Sequence, residues 1–174
     1  ESAGPKTFFV QRYFSGGLEI SDGSDEMSPW RRMPWLTLDE AELIRRLPSV
    51  RDVNIGEYTD GPVGFEGTTL TSVSMAGFSP SWIQVNGGDI LAGRNFTPIE
   101  YAAAAHVAII NDKLAESLFP GRDPIGKTIK IFGAPFQVIG LHAEAASLFS
   151  NADEPRLAMP HTVFTKVADY ERGW

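Results

Sequence analysis

Residues 106–141 read HVAIINDKLAESLFPGRDPIGKTIKIFGAPFQVIGL, and the fold class turns on how that stretch divides. Val107 to Ile110 is a short unbroken apolar run, which suits a strand buried on both faces. Asn111 or Asp112 then stands where a helix cap is wanted, and Lys113 to Phe119 carries apolar residues at helical spacing. From Thr128 the pattern changes to alternation, so Thr128 to Leu141 reads as a hairpin turning at Gly133-Ala134-Pro135. Strand, helix and hairpin in this order predict a mixed α+β fold with strands in the majority.

Upstream, Thr97-Pro98-Ile99-Glu100 has a capping box with proline at the first helical position, so one or two helical turns should follow. Thr37 and Glu40 repeat the box ahead of Leu43, Ile44 and Leu47, and Pro48 ends that helix. Thr7 to Phe14 and Val50 to Tyr58 read as strands flanking it, a β-α-β unit, with a Gly/Ser/Asp loop over 15–28. The glycines and Pro62 between Gly56 and Gly67 mark turns. Thr68 to Phe78 alternates as a strand and is expected to open a new sheet.

The chain has 174 residues, 22 acidic against 15 basic, a net charge of -7 and no cysteine. Such a charge disfavours nucleic acid or an anionic lipid surface as the main partner. Without cysteine there is no disulfide, thiolate nucleophile or Cys-ligated zinc. No apolar run approaches the length of a membrane span, and a chain opening at Glu1 reads as part of something longer.

Gly121-Arg122-Asp123-Pro124-Ile125-Gly126-Lys127-Thr128 fits the phosphate-loop pattern letter for letter. That chemistry needs a strand before the loop and a helix N-terminus after it. Here the order is reversed, Asp123 adds a carboxylate and Pro124 removes an amide donor. Gly121, Gly126, Lys127 and Thr128 are therefore read as a helix-to-strand turn and a false match, with a nucleotide-dependent enzyme using Lys127 as the remote alternative. Val107 to Asp112 likewise imitates a magnesium-holding strand, and Asp112 is read as a cap.

His106, His142 and His161 share no ligand spacing. His142 with Glu144 and Asp153 or Glu154 is the nearest approach to a metal set, and a solvated strand end is the preferred reading. Asp22, Asp25 and Glu26 lack calcium-loop spacing. No serine lies in a nucleophile elbow, so no catalytic residue, cofactor site or metal site is assigned. Trp30-Arg31-Arg32-Met33-Pro34-Trp35 is the one unusual cluster. Trp30, Arg31 and Trp35 are candidate partner contacts, against a reading in which the tryptophans cover the end of the first helix.

Five motifs occur in a recognisable order: Gly93-Arg94-Asn95-Phe96-Thr97, Val107 to Asn111, Ala115 to Phe119, Asp123-Pro124-Ile125-Gly126-Lys127 and Phe136 to Gly140. Together they resemble the periplasmic core domain of MacB-type (MacB/FtsX-like) ABC transporter permeases, with weaker similarity over Leu36 to Val53 and onward to Pro160. The resemblance implies a porter-like β-α-β lobe over 1–58, completed on one reading by 161–174, and an inserted small mixed Sabre-like lobe over 59–160. It also implies a non-catalytic domain on the periplasmic side of the bacterial inner membrane, which passes ATP-driven transmembrane motion to a substrate or partner. Its implied partners are the protein's own transmembrane helices, a second permease copy, a cytoplasmic ATPase that holds the ATP, and a periplasmic adaptor. An extracytoplasmic solute-binding module is the alternative.

Overall fold

The computed structural model describes residues 8, 10, 36–143 and 154–168. The chain divides into two compact units, 1–51 with 171–174, and 52–170. The expected strand over Thr7 to Phe14 and the loop over 15–28 lie outside the described residues, apart from Phe8 and Val10. In the first unit, α1 (Leu38–Arg45) begins on the expected capping box. The Thr37 hydroxyl accepts the Glu40 amide at 3.2 Å, and the Glu40 carboxylate accepts the Thr37 amide at 2.7 Å. No residue of this helix is buried.

The second unit contains β1 (Gly56–Phe65), β2 (Thr68–Phe78), α2 (Trp82–Asn86), β3 (Asp89–Gly93), α3 (Pro98–Ala102), β4 (Val107–Asn111), α4 (Asp112–Leu118), β5 (Thr128–Ile131), β6 (Ala134–Ala143), β7 (Arg156–Pro160) and α5 (His161–Val167). All seven strands join one sheet in the order β3-β6-β4-β7-β2-β1-β5, and β5 also pairs with β6. Six strands therefore form a closed circuit, β6-β4-β7-β2-β1-β5 and back to β6. β3 lies beside it, on the same edge of β6 that β5 occupies further back along the strand.

Five readings need correction. Residues 50–55 are not a strand: Val53 and Ile55 bond the Ser79 and Ser81 hydroxyls and the Ser79 amide, so side chains replace a ladder there. The strand starts at Gly56 and runs through the glycines read as turns. Pro62 sits at the register shift between Gly61 and Val63, a place where the ladder asks no N–H of it. The β1–β2 turn is Glu66-Gly67, both residues with positive φ (44° and 88°), which matches the twist of the flanking strands. The β5–β6 hairpin uses the same device one step earlier than expected, at Phe132-Gly133 (48° and 82°), because Ile131 pairs with Ala134. β1 crosses the expected boundary at 58/59, and α5 belongs to the second unit. Finally, β2 opens no separate sheet; it is central to the only one among the described residues.

Alternation sorts the side chains into two cores. One takes residues from all six strands of the circuit, Val63, Val73, Met75, Ala108, Ile110, Ile129, Ile131, Phe136, Val138, Leu157 and Met159, with Leu114 of α4 and Phe164 of α5. α5 packs closely because Gly77 faces it: a Cβ there would lie 2.6 Å from the Phe164 Cβ. The other core holds Ala76, Phe78, Trp82, Phe96, Val107, Ile109, Ile139 and Ala158 on the opposite face.

Candidate functional site

The imitation phosphate loop lies between α4 and β5, with the helix before it and the strand after it. Four of its amides are committed within the protein. Arg122 N donates to Phe119 O, Ile125 N to Asp123 Oδ1, Lys127 N to Pro124 O, and Gly126 N to Val138 O at 2.8 Å. A phosphate loop aims such donors at its ligand, whereas these pin the turn to its own chain. Arg122 pairs with Glu66 at 2.8 Å and sits 5.3 Å over the Phe65 ring, and Lys127 is exposed.

Trp30, Arg31 and Trp35 lie outside the described residues, as do Asp22, Asp25, Glu26, Glu144 and Asp153. Among the described residues no cluster of His, Asp and Glu is arranged to hold a metal. His142 is not a solvated strand end: it keeps 7% of its surface and its ring lies 4.6 Å from that of Trp82. The periodicity of β6 could not show this, because the ring is covered by α2, which lies far away in sequence.

Two motif residues organise the outer face of the sheet. The Asn95 side chain accepts from the Trp82 indole at 3.0 Å and the Phe96 amide at 2.9 Å, and donates to Pro80 O at 3.0 Å. Beside it, Arg94 forks onto both carboxylate oxygens of Glu100 at 2.8 Å. Glu100 also closes the capping box of α3, accepting the Thr97 amide at 2.8 Å. The Arg94 guanidinium, aided by Thr97 against some desolvation, brings the Glu100 carboxyl down to about 2. Asn111 is the second organiser. It is buried, caps α4 by accepting the Leu114 amide at 2.9 Å, accepts the Arg156 amide at 3.0 Å and donates to Glu154 O at 2.8 Å.

Between these organisers lies a recess of about 400 Å³. Tyr58, Phe78, Trp82, Ser74, Ala76 and Ala158 are among the residues that line it, together with His142, Asn111 and Arg156. Phe78 and Trp82 are stacked at 5.1 Å and 15°. Sequence reasoning missed this site, because its residues come from β1, β2, α2, β4, β6 and β7 and no local pattern links them.

The model of the MacB-like periplasmic core domain matches residues 2–173. The chain belongs to that family. The macrolide export ATP-binding/permease protein MacB of Neisseria meningitidis serogroup A is 30% identical to this MacB-like domain over 131 residues, 75% of this chain and 20% of that protein. The uncharacterized ABC transporter permease YknZ of Bacillus subtilis is 32% identical over 80 residues, 46% of this chain and 20% of that protein. The domain thus spans about a fifth of the length of the curated relatives it matches. Among solved structures, the periplasmic region of MacB from Actinobacillus actinomycetemcomitans matches with a TM-score of 0.71 at 18% identity, covering 82% of this chain and 63% of that one. The extracellular domain of YknZ from Gram-positive bacteria gives 0.65 at 21% identity, covering 75% and 65%. The mixed α/β fold of MacB-like periplasmic core domains is therefore that of this chain.

Proposed function

We propose that this domain is the non-catalytic extracytoplasmic part of an ABC transporter permease of the bacterial inner membrane. In this reading, ATP binding and hydrolysis on a cytoplasmic domain or subunit move the permease helices. The helices reorient the domain in each of two permease copies, and the domains act on a substrate or on a periplasmic adaptor outside. The observation that carries the reading is the family match over 2–173, joined to a fold shared with the periplasmic region of a MacB protein. The geometry agrees with it: a closed strand circuit with a filled core suits a part that moves as a body.

The absence of cysteine makes the test clean, since an introduced thiol is unique within the domain. In the complete parent protein, reconstituted in vesicles, Lys127→Cys would carry a spin label, and Thr69→Cys with Lys127→Cys would carry a pair. Replacing ADP by ATP with vanadate should change the Lys127 distance between permease copies and leave the Thr69–Lys127 distance within one domain unchanged. Inter-copy distances that ignore nucleotide would remove the mechanical role. A membrane-impermeant maleimide that fails to reach Lys127→Cys from outside intact cells would remove the extracytoplasmic placement.

A further inference from the structure

The circuit of strands leaves one stretch of backbone unmatched. β5 pairs with β1 only at Val63 and Gly64, with the Phe132 amide reaching Pro62 O, so residues 56–61 have β2 on one side and no strand of the described residues on the other. Alternation shows which groups face out. Ser74 N donates to Pro155 O, toward β7, so Ser74, Ala76 and Phe78 turn their backbone groups to β7 and not to β1. Their partners Asp60, Tyr58 and Gly56 therefore turn theirs away from β2. Pro62 O, two residues further on, accepts from the β5 side, as this alternation requires.

The Gly56, Tyr58 and Asp60 amides make no further hydrogen bond among the described residues, and the Asp60 carbonyl has only the Thr59 hydroxyl, at 3.5 Å. All three residues are exposed, Tyr58 to 66%. Folded proteins usually guard such an edge with lysine, proline or a covering element. Neither lysine nor proline occurs within 56–61, and Pro62 with the register shift comes only at its end.

Charge decides what the edge would take. From Asp52 to Phe65 the chain has three carboxylates, Asp52, Glu57 and Asp60, and no cation. Glu57 and Asp60 lie on opposite faces of β1. Glu57 approaches His161 at 3.2 Å, whereas the exposed Asp60 carboxylate has no ion pair among the described residues. A second copy joined through the same edge would bring like charges together on both faces, in a chain whose net charge is already -7. A strand with lysine or arginine at alternate positions is complementary instead: it sets one cation beside Asp60 and lays the next along the Tyr58 ring.

We propose that the open edge of β1, residues 56–61, takes up an extended basic segment of a partner protein as an added strand. Backbone bonds to Gly56, Tyr58 and Asp60 hold it, and the flanking side chains select it. This assignment is independent of the permease reading and involves no covalent step.

The test is a titration of the ¹⁵N-labelled 174-residue chain with an end-blocked hexapeptide of alternating lysine and threonine, followed by NMR. Saturable shifts and slowed hydrogen exchange should appear at the Gly56, Tyr58 and Asp60 amides. The same peptide with glutamate for lysine should bind about tenfold more weakly. A strand bonds its neighbour through alternate residues only. N-methylation of one alternating set of the peptide should therefore abolish binding, while methylation of the other should change it by no more than about twofold. Asp60→Asn should weaken binding by about threefold. Tyr58→Pro should fold, because β2 asks no N–H of that residue, and should not bind. If Tyr58→Pro loses the dispersed spectrum of a folded chain, the two methylated peptides decide. Absence of saturation at millimolar peptide, shifts confined elsewhere, equal binding of the glutamate peptide, equal binding of the two methylated peptides or unchanged affinity in Asp60→Asn would each overturn the assignment. So would exchange at the three amides that slows with chain concentration alone, which would give the edge to a second copy, or that is already slow in the dilute chain, which would give it to a segment of the domain itself.

Discussion

Glu100 does three jobs with one carboxylate: it closes the α3 cap, takes the Arg94 fork and receives the Thr97 hydroxyl at 3.0 Å. Its pKa is lowered from 4.5 to about 2. A carboxyl depressed in the folded state contributes stability that is present above its unfolded pKa and is lost as pH falls through the folded one. The wild-type chain should therefore weaken between about pH 4.5 and 2 through this group, by about 1–2 kcal/mol after allowance for the half-exposed Arg94. Glu100→Gln should be less stable at pH 7 by a similar amount and should show a flatter melting temperature over that acid range. A variant as acid-sensitive as the wild type would show that the fork carries none of the stability. The cap itself was legible in the sequence because it joins residues three apart. The fork was not, because Arg94 reaches Glu100 only once Gly93 has turned the chain.

Gly93 shows how a turn and a close approach combine at the scale of an element. Its φ is +72°, and an added Cβ would overlap the Ile139 carbonyl oxygen of β6, whereas Gly67, at φ +88°, has open space around it. Both pay the left-handed penalty when replaced, but only Gly93 meets backbone. Gly67→Ala should cost about 1 kcal/mol, while Gly93→Ala should cost about 3 kcal/mol, as read from urea unfolding of the two variants. Equal losses would mean that β3 can move away from β6 cheaply. The sequence marked both glycines as punctuation, and it could not separate a hairpin tip from a packed corner, since that depends on what lies opposite. The same limit explains why the glycines and Pro62 within β1 read as turns: they weaken the local signal, and pairing with β2 and β5 overrides it. β4 was legible because a run buried on both faces leaves no alternation to misread.

Over the whole molecule, the circuit of strands closes at a slight joint, with as few residue pairs as β4 shares with β7. β1 and β5 share two residue pairs, Val63 with Ile131 and Gly64 with Lys130, plus the Phe132 amide on Pro62 O at 3.2 Å. Hydrogen exchange should find seam amides opening locally, ahead of those of β4 and β2, which are paired on both sides. Uniform protection around the circuit would mean that the seam breaks only with the whole fold. This closure was invisible in the sequence, since it joins residues about seventy positions apart and no motif records it. Its consequence is mechanical. In an open sheet, a sideways load can be absorbed by neighbouring strands slipping past one another; in a hoop, each slip must be matched all the way round, so the load is returned as rotation of the entire body. β3, attached outside the hoop to the strand that β5 also grips, would then act as a handle: a tug on it turns the domain instead of stretching it.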